Sequence, residues 1–163
     1  MGLTNAYVEK LCKKILKHHT FLGVYPCDIH PKFDKRRNFS VVFNTGDSTT
    51  SGYHFVCIYV NKKTLFYFDS FGDDISLDPN IKRFTENFPN KCLCQNTQKI
   101  QHNLSQFCGF YCIAYLLSKD LNISEDIFKS QFNEKNLLEN DKNVIYFIKK
   151  YIKNQNHKKN KRI

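Results

Sequence analysis

A chain of 163 residues with a formal charge of +10 and 15% aromatic residues suits one domain with a single core. Lys10, Lys13, Lys14 and Lys17 interrupt the only apolar-periodic stretch near Met1, which argues against a signal peptide, and no apolar run approaches the roughly 20 residues that span a bilayer. Seven cysteines, an odd count without an export signal, set the expectation of reduced thiols in an intracellular protein with no membrane partner.

In chain order, Thr4 or Asn5 can cap a first helix with Val8, Leu11, Cys12, Ile15 and Leu16 on one stripe,. His18 and His19 are expected to close it, where a cationic side chain suits the helix dipole. Residues 21–26, followed by Pro31, read as a loop with apolar anchors, and Lys35-Arg36-Arg37 precedes a strand over residues 39–44. Residues 45–52 are small and polar, as in a mobile loop. Two strands over residues 53–60 and 65–71, joined by Asn61-Lys62-Lys63-Thr64, make the clearest hairpin,. Asp78 or Asn80 can start a short helix through Phe88 with Pro79 early in it. Residues 92–100 read as extended, Ser124 caps a helix carrying Ile127, Phe128 and Phe132, and a last amphipathic helix holds Val144, Ile145, Phe147, Ile148, Tyr151 and Ile152. This order of helix, strands, helix, strand and helices is α+β, expected as one domain over residues 1–153 and a basic, disordered tail over residues 154–163.

The stretch with most chemistry is Gln101-His102-Asn103-Leu104-Ser105-Gln106-Phe107-Cys108 followed by Gly109 to Leu117. After Cys108 the run is apolar on every side, as in a helix buried at the centre of a domain. Cys108 in the first turn of such a helix sits against unpaired N–H groups and the positive dipole end, which favour a thiolate. The plainer reading is a small core residue, and this segment alone does not choose between them.

The hairpin supplies a second set. If Asn61 faces Thr64, paired positions sum to 125, so His54 faces Phe71 and Val56 faces Asp69. Alternation then puts His54, Val56, Ile58, Val60, Leu65, Tyr67, Asp69 and Phe71 on one face. His54 and Asp69 are diagonal neighbours there, roughly 7–8 Å apart at the backbone. An imidazole beside a carboxylate is a poised base, because the carboxylate fixes the ring tautomer and stabilises the imidazolium. Set beside Cys108, the pair would make a thiolate–imidazolium nucleophile. Gln101 and the Cys108 backbone N–H could then serve an oxyanion.

The combination of Gly52-Tyr53-His54-Phe55, Phe68-Asp69-Ser70-Phe71-Gly72, and Gln101 seven residues before Cys108-Gly109-Phe110-Tyr111-Cys112 resembles the adenovirus protease (adenain) family. That family lies in the clan of proteases acting on ubiquitin-like proteins. Phe21-Leu22-Gly23-Val24-Tyr25 and Val42-Phe43-Asn44-Thr45 extend the resemblance upstream, to roughly residues 21–117. It implies His54 as general base, Asp69 as orienting acid, Gln101 as oxyanion donor and Cys108 as nucleophile. It also implies a papain-like arrangement: a central mixed sheet flanked by helices, with a buried nucleophile helix. The activity it implies is that of a cysteine endopeptidase cleaving viral precursor polypeptides after small residues during virion maturation, in the host nucleus and the virion, as a monomer.

The chain departs from adenain in having Asp69 where adenain has Glu, Phe55 where it has Trp, and less length after the nucleophile helix. Asp69 is what the ubiquitin-like-protein proteases carry. Adenain is stimulated by DNA and by a short viral peptide that forms a disulfide upstream of the Gln. Cys92 and Cys94 lie in a comparable place with a shorter spacing to Gln101, so the resemblance extends to them a candidate activating-peptide disulfide. No metal site is expected, since Cys92-Leu93-Cys94 is not the usual spacing and no second pair follows. Cys12, Cys57 and Cys112 fit core positions, whereas Cys27 falls in a loop.

Rival readings are an isopeptidase removing ubiquitin-like modifiers, an acetyltransferase on the same layout, and a basic nucleic-acid-binding protein with inert cysteines. The last draws on the tail, since from Lys142 onward there are eight Lys or Arg and no Asp or Glu. Such a tail attracts polyanions, DNA among them, or acts as a solubilising or nuclear-address segment.

Overall fold

A five-stranded mixed sheet organises the molecule, in a computed structural model that describes residues 2–50 and 52–160, with side chains through Gln155. The chain enters through α1 (Asn5–Ile15), capped by the Thr4 hydroxyl, which accepts from the Tyr7 N–H at 3.3 Å. Val8, Cys12 and Ile15 are its buried stripe, as the 3.6-residue period demands. His18 and His19 lie beyond this helix rather than closing it. Their backbone turns instead toward the next strand.

That strand is β1 (Thr20–Pro26), where the sequence reads as a loop. It pairs parallel to β2 (Phe39–Asn44), with a register shift between Phe21 and Val24 around Gly23 at φ +129°. A glycine bulge breaks the side-chain alternation by which a strand is recognised, and Pro26 is tolerated because this is an edge strand. The next strands, β3 (Phe55–Val60) and β4 (Thr64–Phe68), form the expected hairpin, and Cys57 pairs with Phe68 and Val60 with Leu65, the register the turn arithmetic requires. Both strands end earlier than expected, which leaves His54, Asp69, Ser70 and Phe71 outside the ladder.

After β4, α2 (Pro79–Thr85) is capped by Asp78, and β5 (Cys92–Gln95) adds a parallel edge beside β4. The extended stretch expected to Ile100 stops at Gln95 as a strand, because beyond it the chain folds over the end of β4. The helices α3 (Cys108–Asp120), α4 (Glu125–Lys129) and α5 (Asn140–Asn160) complete the chain. No tail breaks away at residue 154, since the backbone stays helical through Asn160. Extending an existing helix costs little per residue, and Gln and Lys are good helix formers. The remaining tail, residues 161–163, lies outside the described residues.

Strand order is β1-β2-β3-β4-β5, and both faces of the sheet are covered. On one face Val42, Phe55, Cys57, Tyr59 and Phe68 pack with the buried helix α3, with α1 and α5 alongside. On the other, Phe39, Val41, Phe43, Val56, Ile58, Val60, Leu65 and Tyr67 pack with Ile81, Phe84 and Phe88. This is the α+β arrangement expected, with near-continuous apolar strands as two-sided burial requires. Cys12, Cys27, Cys57 and Cys112 are all buried. Among the described residues no helix is long and apolar enough to cross a membrane.

Candidate active site

Three segments converge where the sheet ends. His54 precedes β3, Asp69 follows β4, and Cys108 opens α3 on the face that Phe55 and Cys57 cover. Because His54 is already off the ladder, it is not bound to the face that Val56 occupies, and it reaches the mouth of α3. Its Nε2 lies 2.9 Å from Asp69 Oδ1, and the Cys108 thiol lies beside it in the same cleft, close enough to favour the charged ring. Phe71 stacks on the imidazole with centroids 4.7 Å apart. Burial alone would push the imidazole pKa down, but the bond to Asp69 and the neighbouring Cys108 outweigh it and the pKa is pushed up to about 9. The ring is thus held as a cation well above neutral pH, in line with a thiol that can pass it a proton.

Asp69 is set by its turn as much as by His54. The Phe71 N–H donates to Asp69 Oδ1 at 2.7 Å, and the Gly72 N–H closes the turn on the Asp69 carbonyl at 2.9 Å. Gly72 has φ +76°, and a Cβ there would lie 2.8 Å from the Thr97 carbonyl oxygen. Only glycine fits. Asn96, a residue the sequence reading did not single out, accepts from the Asp69 N–H at 2.9 Å and donates to the Asp69 carbonyl at 2.6 Å.

Gln101 is buried, with its carboxamide held on two sides. Its Oε1 accepts from Ser70 Oγ at 2.6 Å and its Nε2 donates to the Ser105 carbonyl at 2.8 Å. An amide nitrogen carries two hydrogens, so one remains for the cleft that Gln101 lines. At the N-terminus of α3, Phe107 offers no side-chain cap, and the first-turn N–H groups are open to a ligand. Gly109 is packed tightly under α1, where a Cβ would meet Val8 at 3.0 Å and Leu3 at 3.2 Å. These atoms share a cleft of about 610 Å³ lined by Gly2 to Asn5, Asn44, Gly52 to Phe55, Phe71, Gln101 and Cys108, among others.

The other thiols separate cleanly. Cys112, one turn beyond Cys108, is buried and bonded to the Phe55 carbonyl at 3.3 Å, and burial raises its pKa far above the ordinary value. Cys92 and Cys94 are exposed on β5, where they pair with Thr64 and Phe66, ahead of the Asp69 turn. Among the described residues no three His, Cys, Asp or Glu side chains converge as a metal site.

A thiol at an open helix mouth, an imidazole and a carboxylate in series, with an amide donor beside them, define the class of thiol-dependent peptidases built on an α+β fold. The whole of residues 21–161 matches the family model for the adenovirus endoprotease. The chain belongs to that family. Its protease relatives include those of Ovine adenovirus D serotype 7, 25% identical over 82% of this chain and 73% of that one, and of Bovine adenovirus 7, 27% identical over 71% and 63% respectively. The fold is similar to a crystal structure of the ASFV protease, with a TM-score of 0.57 at 19% identity, covering 88% of this chain and 64% of that one. The chain therefore spans between 63% and 73% of the length of these relatives.

Proposed function

We propose that this protein is a cysteine endopeptidase of the adenovirus endoprotease type, acting through Cys108, His54, Asp69 and Gln101. The observation that carries the reading is the His54 imidazole, bonded to the Asp69 carboxylate at 2.9 Å and sharing one cleft with the Cys108 thiol. Family membership makes peptide-bond hydrolysis the expected reaction.

In that reaction the Cys108 proton already rests on His54, as the raised imidazole pKa favours, and the thiolate attacks the scissile carbonyl carbon,. The developing oxyanion lies against the Cys108 N–H and the unused Gln101 Nε2 hydrogen. The His54 imidazolium then protonates the leaving amine, the C–N bond breaks, and a thioester remains on Cys108. Water attacks the thioester with His54 again as base, which releases the acid and restores the thiol. Asp69 keeps the imidazole in the tautomer and orientation both halves need.

The substrates in this reading are viral precursor polypeptides cleaved during virion maturation, with action in the host nucleus and virion. DNA is a candidate activator through α5, whose Lys142, Lys149, Lys150 and Lys153 continue into the basic tail,. A viral peptide is a second candidate activator. Cys92 and Cys94 on the exposed edge strand β5 are accessible to it, and an edge strand can accept another strand,.

The test is purified protein with an iodoacetamide label and a Gly-Gly-type fluorogenic peptide, with and without DNA. Labelling at Cys108 that abolishes cleavage, and loss of cleavage in Cys108→Ala, are the expected results. Full cleavage by Cys108→Ala would overturn the assignment. A panel of ubiquitin-like fluorogenic substrates separates endopeptidase from isopeptidase, since rapid turnover of those alone would move the activity to modifier removal.

A further inference from the structure

The parallel pairing of β4 with β5 ends at Tyr67 and Gln95. Two residues on, a main-chain ladder would satisfy the backbone of Asp69, but the chain after β5 turns away over the sheet end. Asn96 replaces the missing strand with its side chain. A carboxamide carries the same C=O and N–H groups as a peptide unit, and here both engage one residue. Oδ1 accepts from the Asp69 N–H at 2.9 Å, and Nδ2 donates to the Asp69 carbonyl at 2.6 Å. The second Nδ2 hydrogen reaches the Gln98 carbonyl at 3.2 Å, so both donors are spent.

The same segment is then fastened to the residue after Asp69. The Ser70 carbonyl accepts from the N–H groups of Ile100 at 2.9 Å and Gln101 at 3.0 Å, and Ser70 Oγ donates to Gln101 Oε1. Residues 69–72 and 96–101 are therefore one zipped unit, with Asn96 at its start. Without Asn96, the turn carrying Asp69 would be tied to residues 96–101 at Ser70 alone, the Asp69 N–H would lose its acceptor, and the Asp69 carbonyl would keep only the Gly72 N–H within its own turn.

We propose that Asn96 is a positioning residue for the reaction: its carboxamide fixes the backbone of Asp69 and thereby the aim of the carboxylate at His54. The inference rests on Asp69 being the acid of the site, and the test keeps the two ideas separable. Asn96 does not line the cleft shared by His54 and Cys108 and bonds Asp69 and Gln98 rather than the imidazole, so it acts through Asp69.

The test follows the His54 imidazole by NMR through a pH titration, its signal assigned by its loss in His54→Ala. Four proteins are compared: the natural chain, Asp69→Asn, Asn96→Ala and the double variant. Removing the carboxylate in Asp69→Asn lowers the His54 titration point, because the cation loses its partner. Asn96→Ala lowers it in the same direction by a part of that shift, and the double variant falls no further than Asp69→Asn alone. With the fluorogenic peptide, Asn96→Ala loses about 10–100-fold in kcat with little change in KM, the usual scale for a residue that orients a reacting group. A titration point unmoved in Asp69→Asn would sink the acid assignment itself. A point that moves in Asp69→Asn but not in Asn96→Ala, with kcat unchanged, would overturn the role of Asn96. Should Asn96→Ala fail to fold, Asn96→Gln is read the same way, since it keeps both polar atoms and displaces them by a methylene.

Discussion

Among the described residues two His–Asp pairs exist, and only one shares a cleft with a thiol. His54 and Asp69 meet at 2.9 Å with side chains 14% and 5% exposed, at the wall of a cleft. His19 and Asp120 meet at 2.7 Å with side chains 1% and 0% exposed. The second pair is the better dressed. Asp120 also accepts from the N–H groups of Lys17 and His18 at 2.9 and 2.8 Å, and His19 Nε2 lies 2.7 Å from Ser40 Oγ. It even holds a hydroxyl where the first pair holds a thiol. Yet it joins the end of α1, the strand β2 and the last residue of α3 inside the protein, with no route for a substrate. The imidazole–carboxylate contact is common to both places, whereas access and the open mouth of α3 belong to one. A catalytic reading therefore rests on what surrounds the imidazole more than on the pair.

The comparison breaks first at Cys108. Cys108→Ala should remove cleavage of a Gly-Gly-type peptide by about 10,000-fold or more, leaving only what binding and oxyanion contacts supply. Asp69→Asn comes next, with a loss of about 1,000–10,000-fold, more than Asn96→Ala, which acts only through it. The pH profile carries the sharper sign. His54 has a raised pKa, so its imidazolium persists until pH passes about 9, and the basic limb of kcat/KM should fall there in the natural protein. Without the carboxylate that pKa drops and the limb moves to lower pH. A basic limb fixed in Asp69→Asn would show that the carboxylate does not hold the imidazolium.

At the sealed pair the same kind of change should act on stability. Asp120→Ala leaves a buried imidazole and two backbone N–H groups without their acceptor, a loss of about 3–5 kcal/mol in unfolding free energy by denaturant. The activity per folded molecule should be unchanged. The pH dependence has the opposite sign from His54. Burial alone would raise the Asp120 pKa, but His19 and the two N–H groups lower it below the ordinary value. Its stabilisation is present above the unfolded carboxyl pKa of about 3.9 and is lost as pH falls through the lower folded value. An Asp120→Asn protein should lack that part of the acid-unfolding slope.

Much of the candidate site's arrangement is legible in the sequence because its parts obey local rules. The turn at Asn61 and Thr64 sets the pairing of Cys57 with Phe68, and the apolar run after Cys108 marks a buried helix. The strand ends were harder. Alternation put His54 on the face of Val56, but it governs only residues in the ladder, and His54 lies one residue outside it. Strand β1 was hidden because its Gly23 bulge destroys the alternation. Asn96 had no signal at all: its role comes from β5 ending at Gln95 just where Asp69 needs partners. His18 and His19 read as a helix end for the same reason, since Asp120 lies about a hundred residues away in sequence, and no local pattern announces it.

The smallest expected effect isolates access from chemistry. Ser40 is fully buried in β2, and its Oγ stands 2.7 Å from His19 Nε2. Ser40→Cys in a Cys108→Ala background places a thiol beside an imidazole already paired with a carboxylate, so the three group types of the active site are present together. If the pair alone activated a thiol, iodoacetamide would modify residue 40 in the native protein. The structure predicts that it does not, because neither reagent nor peptide reaches the interior of β2, and that modification appears only once denaturant opens the fold. Peptide cleavage should stay absent and stability should fall by about 1 kcal/mol, the scale of exchanging one buried hydrogen bond for a weaker one. Mass spectrometry of residue 40 before and after unfolding reads both arms. Native labelling there would show that sealing is not what separates the two pairs, and the distinction would then have to lie in the open N-terminus of α3 alone.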